Sequence, residues 1–180
     1  MKTMKAFIAA TCLAAVAMAD AADNSKAFHL WTIEEVFSNF DGSIQFIELR
    51  TTSNSQNLLQ GHFISSQTNE FTFPTNLPSG STGNHSMLLA TAAFAALEGA
   101  VAPDYTLPDQ FFSTTGDTLN FAGVDTLIFT AEQLPIDGVS SLMSDFTVPV
   151  NSPTNFANAS GSITVPAGGE GEGEGEGEGE

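Results

Sequence analysis

The alternation of apolar and polar positions is clearest between residues 116 and 130. Leu119 and Phe121 alternate with polar residues, and the same period resumes at Leu127 and Phe129 after a short Ala-Gly turn. A two-residue period with one apolar face predicts a β-hairpin. Because a hairpin alone is only marginally stable, the pattern also predicts a second sheet that buries these side chains.

Further runs rich in aromatic and β-branched residues predict short strands before this hairpin. These runs are residues 29–37, 43–50, 59–65, 70–73 and 87–90. Asp41-Gly42 predicts the turn between the first two strands. In the second strand Ile47 and Leu49 share one face and Phe46 lies on the other, which indicates a central strand. Gly61 inside the third strand predicts a bulge or a close backbone approach.

The remaining part of the chain is less regular. Thr91 as N-cap and Gly99 at the end predict one short helix over residues 91–98. Pro103 and Pro108 enclose an extended segment, residues 146–148 predict an edge strand, and residues 151–167 form an irregular extension along the surface. The number and spacing of the short strands predict an all-β, immunoglobulin-like antiparallel β-sandwich over residues 29–150. A jelly roll is the alternative, because strand number does not determine sheet order.

The first 19 residues have the organisation of a secretory signal peptide. Lys2 and Lys5 precede an apolar run, and Ala17-Met18-Ala19 forms a small-residue cleavage site before Asp20. The sequence therefore predicts an exported chain, secreted or at the cell surface, with a polar lead at residues 20–28. Cys12, the single cysteine, lies inside the signal, so the mature chain contains neither a disulfide nor a thiolate metal site. The apolar run is too short for a permanent membrane span.

The net charge of the chain limits the classes of partner that it can bind. The formal net charge is −17, and outside the signal only Lys26 and Arg50 are basic. A surface that follows phosphates cannot be assembled from two cations, which argues against nucleic acid as a partner. Residues 168–180 alternate Gly and Glu, a composition that predicts a disordered tail.

The order of four short motifs resembles the lamin tail domain, an immunoglobulin-like β-sandwich of nuclear lamins and many exported bacterial proteins. The motifs lie between about residues 30 and 130: Ile33 to Val36 with Phe46 to Leu49; Leu59 to His62; Phe71 to Pro74 with Pro78-Ser79-Gly80; and Gly116 to Leu119 with Val124-Asp125. The chain also resembles a group of exported bacterial proteins with the same signal, sandwich and Asn-Ser-Pro-Thr-Asn-Phe sequence near the end. The resemblance implies a binding and attachment module without enzymatic chemistry.

Few residues of the sequence are candidates for a catalytic or metal-binding site. Glu34, Glu35 and Glu48 lie on neighbouring predicted strands and are candidates for acid/base work, but solvated strand faces, with Glu48 beside Arg50, are the preferred interpretation.

Three histidines, His29, His62 and His85, lie on different elements without metal-type spacing. The Asp and Asn residues at 20–24, Asp41 and Asp137 lack the ligand spacing of a calcium loop. Trp31 and the strand phenylalanines are expected in the core: Phe37, Phe46, Phe71, Phe73, Phe121 and Phe129.

We therefore expect no catalytic, cofactor-binding or metal-binding residues, and no cofactor. The expected function is a non-catalytic binding or cell-surface attachment module, whose partner is an extracellular protein or a polysaccharide. The alternative is a secreted hydrolase that uses the strand carboxylates.

Overall fold

The structure is a computed structural model that describes residues 28–166. The predicted signal, residues 20–27 of the polar lead and the Gly/Glu tail lie outside the described residues. The elements in chain order are β1 (Thr32–Ser38), β2 (Gln45–Thr51), β3 (Phe63–Ser65), β4 (Glu70–Thr72), β5 (His85–Thr91), α1 (Ala92–Ala95), β6 (Tyr105–Leu107), β7 (Gly116–Phe121), β8 (Asp125–Thr130) and β9 (Leu142–Met143).

The strands form two sheets, which confirms the predicted all-β sandwich. The first sheet has the order β6-β5-β2-β1-β9 and the second the order β4-β3-β7-β8. Neighbouring strands are antiparallel except β5 and β6, which pair in parallel. β6 lies in the extended segment between the two prolines, and residues 92–104, which include α1, carry the chain back so that β6 runs in the same direction as β5.

The main core lies between the sheets and contains the predicted hairpin face. Leu119 and Phe121 are fully buried, and Leu127 and Phe129 are nearly so. Trp31 is buried in the same core and donates its indole N–H to the backbone oxygen of Gln56 at 2.7 Å. The sandwich therefore buries the apolar face that the alternation predicted.

The first sheet is also covered on its outer face, where a second apolar cluster lies. β2 is a central strand between β1 and β5, as predicted, with Ile47 and Leu49 in the main core and Phe46 in the second cluster. The second cluster consists of Phe37, Phe46, Leu88, Ala90, Phe94, Val101, Ile163 and Val165. Two of these residues come from the segment predicted to be an irregular extension.

That segment, residues 151–165, is here named the C-terminal strap, and it forms a third layer on the first sheet. Its Asn151 side chain donates to the backbone oxygens of Val139 at 2.6 Å and Ile163 at 2.7 Å, and accepts from Ile163 N at 2.9 Å. Val165 N donates to Gly138 O at 3.0 Å. The strap has almost no regular secondary structure, so local periodicity did not reveal that it belongs to the packed fold.

Three local predictions need correction. The helix is a single turn, Ala92–Ala95, with Thr91 as its N-cap. Only Phe94 on it is buried, and one apolar anchor is too little to hold a second turn. The first strand begins at Thr32, after a turn, and not at residue 29.

Gly61 lies in a turn before β3 with a φ of +83°, and nothing lies within 4 Å of the position that a Cβ would occupy. Gly61 N donates to Phe73 O at 3.0 Å and Phe73 N donates to His62 O at 2.9 Å, so residues 61 and 62 together face Phe73 in a bulge next to β3. The predicted bulge is confirmed, and the glycine supplies the positive φ that it requires. Residues 146–148 are not a strand: β9 is Leu142–Met143, and the chain reverses at Phe146, whose φ is +65°. The returning segment still bonds to β9, since Met143 N donates to Thr147 O at 2.9 Å.

Candidate functional site

The predicted strand carboxylates are brought together, but beneath the strap. Glu35 on β1 and Glu48 on β2 are opposite each other in the strand register, on the outer face of the first sheet. Glu35 is 2% exposed and Glu48 is 5% exposed. The expectation of solvated strand faces was therefore wrong for both residues, because the strap covers the part of the sheet where they lie. Glu34 is half-buried, and Arg50 is exposed.

Alternate backbone N–H groups of the strap donate to a row of carboxylates. Ser152 N donates to Glu35 at 2.8 Å, and Thr154 N donates to Glu48 at 2.7 Å. Phe156 N donates to Asp104, just before β6, at 2.9 Å. In an extended chain, N–H groups two residues apart point to the same side. One extended segment can therefore satisfy three carboxylates, here named the carboxylate row: Glu35, Glu48 and Asp104.

Hydroxyl groups complete the environment of Glu35. The Ser141 hydroxyl donates to it at 2.6 Å, and the Ser152 hydroxyl donates to it at 3.2 Å. Together with the Ser152 N–H, these bonds occupy both carboxylate oxygens. Hydrogen bonds of this kind offset the cost of burying a carboxylate that has no basic partner.

Burial raises the pKa of Glu48 to about 7. The nearby Ser86 hydroxyl and the N–H bond from Thr154 lower this pKa in part, and the negative charges of Glu35 and Glu34 raise it further. Within residues 28–166, the Ser86 hydroxyl is the one buried side-chain polar atom without a hydrogen-bond partner. It lies on the same outer face of the sheet as Glu48 and acts on this carboxyl by proximity. Burial also raises the pKa of Asp104, against the amides of Leu88 and Phe156.

None of the donors given above for the carboxylate row is a histidine. His62 stacks on Phe28 with ring centroids 3.5 Å apart, and His29 lies edge-on to the same ring at 6.3 Å. His85 packs beside Phe156 at 5.1 Å, and its Nδ1 lies 3.1 Å from Gly83 O. Within residues 28–166, no group of three or more His, Cys, Asp or Glu side chains is placed to hold a metal ion.

The two surface aspartates considered for calcium instead support turns. Asp41 accepts the amide and hydroxyl of Ser43 at 2.9 and 2.6 Å, and these bonds hold its pKa below the ordinary value. Asp137 accepts the amides of Val139 and Ser140 at 2.8 and 2.7 Å. The acidic and amide residues at 20–24 lie outside the described part of the chain.

Loops at one end of the sandwich enclose a shallow polar depression of about 280 Å³, here named the end-loop depression. Its lining includes Asp41, Gly42, Thr68, Gln110, Ser113 and Thr114. These loops are tied to one another. Gln110 donates to Asp41 O at 3.2 Å, and the Asn69 amide donates to Gln110 O at 3.2 Å and Phe111 O at 2.9 Å.

A buried aspartate that sequence reasoning missed organises the same loops. Asp117 is 2% exposed and accepts the backbone amides of Gln67 and Ser113, each at 2.8 Å. A signal was present, because Asp117 has the same alternation phase as Leu119 and Phe121 and so falls on the core face of β7. An acidic residue at a core position indicates a built polar contact.

A second depression of about 300 Å³ lies where the first sheet is left uncovered. It is lined by Leu30, Thr32, Glu34, Arg50, Thr51 and Thr52. Arg50 is the one Lys or Arg within residues 28–166, and in this depression it lies together with Glu34.

Comparison with protein-family models, with curated proteins and with solved structures finds no match in any of the three. The likeness to the lamin tail domain therefore stays a prediction from the sequence. Among residues 28–166, no helix has the length and apolar character needed to cross a membrane.

Proposed function

We propose that this protein is an exported, non-catalytic binding or surface-attachment module. The observation that carries the proposal is the burial of the strand carboxylates beneath the strap. Glu35 and Glu48 accept hydrogen bonds from Ser141, Ser152 and Thr154, which are part of the fold itself. A general acid or base must instead lie within hydrogen-bond reach of a substrate.

The competing hypothesis, a secreted hydrolase using these carboxylates, requires the strap to leave the sheet. The pKa of Glu48, about 7, is the one property that suits a catalytic acid. Displacing the strap would also uncover the second apolar cluster, since Ile163 and Val165 belong to both. The binding module requires no such rearrangement, so we favour it.

The end-loop depression is the candidate recognition surface. Loops held on a rigid sandwich are a common place for binding residues. Its lining offers hydroxyl, amide and carboxylate groups, which suit a ligand rich in hydroxyls, such as a polysaccharide, or a polar protein surface. The exposed ring of Phe40, next to Asp41 in the chain, adds a surface on which a sugar can stack.

Replacing Thr114 with Arg tests this surface, because the long side chain fills the end-loop depression. The matched control is Thr72→Arg on β4, at an exposed position away from these loops. We expect capture of a partner from the outer surface of the source cell to fall for Thr114→Arg and to persist for Thr72→Arg. Equal capture by both variants would exclude the end loops as the binding surface.

The Gly/Glu tail is proposed to act as a spacer. Capture with and without residues 169–180 decides this point, and equal capture is the expected result. Loss of capture on removing the tail would make the acidic tail itself the recognition element.

Export is tested separately by mass spectrometry of the protein outside the cell. We expect a mature chain that begins at Asp20. An intact Met1 on a cytoplasmic product would contradict the proposed location.

A further inference from the structure

We infer that β8 is a self-association edge, through which two copies of this chain pair as antiparallel strands around a two-fold axis. β8 pairs with β7 on one side, and the described part of the chain supplies no strand on the other. It is the longer edge strand of the second sheet: β4, at the opposite edge, has three residues and β8 has six.

The hydrogen bonds of Thr130 show which backbone groups of β8 point outward. Thr130 N donates to the Gln133 side chain at 2.9 Å, and Thr130 O accepts from the amides of Gln133 and Leu134, each at 3.2 Å. These groups therefore face away from β7. In an antiparallel pair, residues alternate between facing the partner and facing away. Ile128 and Thr126 consequently also direct their N–H and C=O groups to the open side.

The open edge lacks the devices that normally protect such strands. Proteins place charges, prolines or bulges there to prevent pairing with another chain. Between Asp125 and Glu132 the chain of β8 is uncharged and contains no proline, and its register with β7 is regular. Ile128 is 62% exposed, more than any other large apolar side chain in residues 28–166.

A second copy is the occupant that fits, because the outward groups are self-complementary. A two-fold axis at Leu127 places Thr126 of one copy opposite Ile128 of the other, and the reverse pair follows by symmetry. Both outward N–H groups and both outward C=O groups of each copy then find partners. Thr130 lies outside this ladder because its own groups are already bonded. The two second sheets become one continuous sheet.

Charge makes this association dependent on salt. Each copy is strongly acidic, with a formal net charge of −17, so two copies repel one another at low ionic strength. The uncharged contact itself is insensitive to screening. We therefore expect dimerisation to strengthen as salt is added, and a foreign basic partner would show the opposite dependence.

Analytical ultracentrifugation of the mature chain, residues 20–180, over a concentration series at low and high salt tests the inference. Ile128→Lys should weaken association by about tenfold or more, since two lysines then flank the axis. Ser65→Lys is the matched control: it adds the same charge on the same face of the second sheet, but on β3, two strands away from β8, where Ser65 is paired with both β4 and β7. Thermal unfolding should show that both variants are folded.

Hydrogen exchange supplies the geometric readout. In the dimer, the amides of Thr126 and Ile128 should gain protection as protein concentration rises, and both should lose that protection in Ile128→Lys. A monomer at every concentration overturns the inference, as does a dimer that Ile128→Lys leaves intact. Protection of these amides that does not change with concentration also overturns it, because another part of the same chain would then cover the edge.

Discussion

Single side chains in this protein contribute unequally to its stability, and the most deeply buried ones contribute most. Phe121 is fully buried between the sheets, 5.9 Å from the ring of Phe73 and 6.2 Å from that of Phe28. Phe63, on the neighbouring strand β3, is 37% exposed. The two residues have the same chemistry and share one sheet, so they separate the effect of burial from that of residue type.

Phe121→Ala should lower the free energy of unfolding by about 3–5 kcal/mol, because it removes a buried ring and leaves a cavity. Phe63→Ala should cost well under that amount. Urea denaturation of both variants checks the prediction. A loss of well under about 1 kcal/mol for Phe121→Ala would show that this ring does not belong to the core.

Gly138 illustrates a steric requirement at the scale of one residue. A Cβ on it would clash with the backbone oxygen of Val165, and its φ is +80°. Gly61 has a similar φ, +83°, but has open space around the Cβ position. Comparing the two separates the clash from the conformational strain.

We expect Gly138→Ala to destabilise the fold by clearly more than about 1 kcal/mol and Gly61→Ala by roughly that amount. Hydrogen exchange should also show that Gly138→Ala releases the Val165 amide, which bonds Gly138. Equal losses of stability in the two variants would mean that the strap does not approach this glycine closely.

At the scale of elements, the strands and turns that follow a local pattern could be predicted from the sequence. The strap, which follows no such pattern, could not. Alternation located the β7–β8 hairpin, and an Asp-Gly turn located the β1–β2 connection, because both signals are local. The strap has no period, and its role depends on contacts with Glu35 and Glu48, each separated from it by more than 100 residues. Local patterns carry no information about such contacts, so the carboxylates were expected to face solvent.

The strap makes folding stability depend on pH in a stated direction. Because burial raises the pKa of Glu48 from 4.5 to about 7, the folded state binds a proton more tightly than the unfolded state. Stability from this group is therefore complete below about pH 4.5 and is lost as the pH rises through 7. The stability lost over this pH range is on the order of 3 kcal/mol. The raised pKa of Asp104 acts in the same direction.

Glu48→Gln should remove most of this dependence, since the amide oxygen can still accept from Thr154 N and carries no charge. Denaturant midpoints measured between about pH 5 and pH 8 test it. We expect the midpoint of the parent protein to fall with rising pH and that of Glu48→Gln to stay nearly level. Glu70→Gln, at an exposed site on β4, is the control and should behave like the parent. A parent midpoint that rises over this range would contradict the prediction.

At the scale of the whole molecule, three layers are held together by two apolar clusters and by the carboxylate row, in which Glu35 and Glu48 are buried and Asp104 is half-buried. The second cluster and the carboxylate row share a single cover, the strap. Removing the strap would therefore expose apolar surface and take away the N–H groups of Ser152 and Thr154 that bond Glu35 and Glu48. The two features are neighbours, since Leu88 of the second cluster pairs with Glu48, so their effects on stability are coupled. Water replaces the lost N–H donors, and the destabilisation arises chiefly from the exposed apolar surface.

Deleting residues 151–180 should accordingly destabilise the protein by roughly 3 kcal/mol or more and cause binding of a hydrophobic dye. Deleting only residues 167–180 is the control and should change neither property. Calorimetry and dye fluorescence on both truncated chains provide the comparison. Unchanged stability after loss of the strap would refute its role as a structural layer.

The position of the strap in the chain also orders events during synthesis. The first sheet is complete in sequence once β9 has been made, yet its outer face stays open until Ile163 and Val165 follow. At about 5–20 residues per second, that interval lasts on the order of seconds. During this interval the nascent chain exposes the second apolar cluster beside the carboxylate row. A chaperone can bind this surface before the strap covers it.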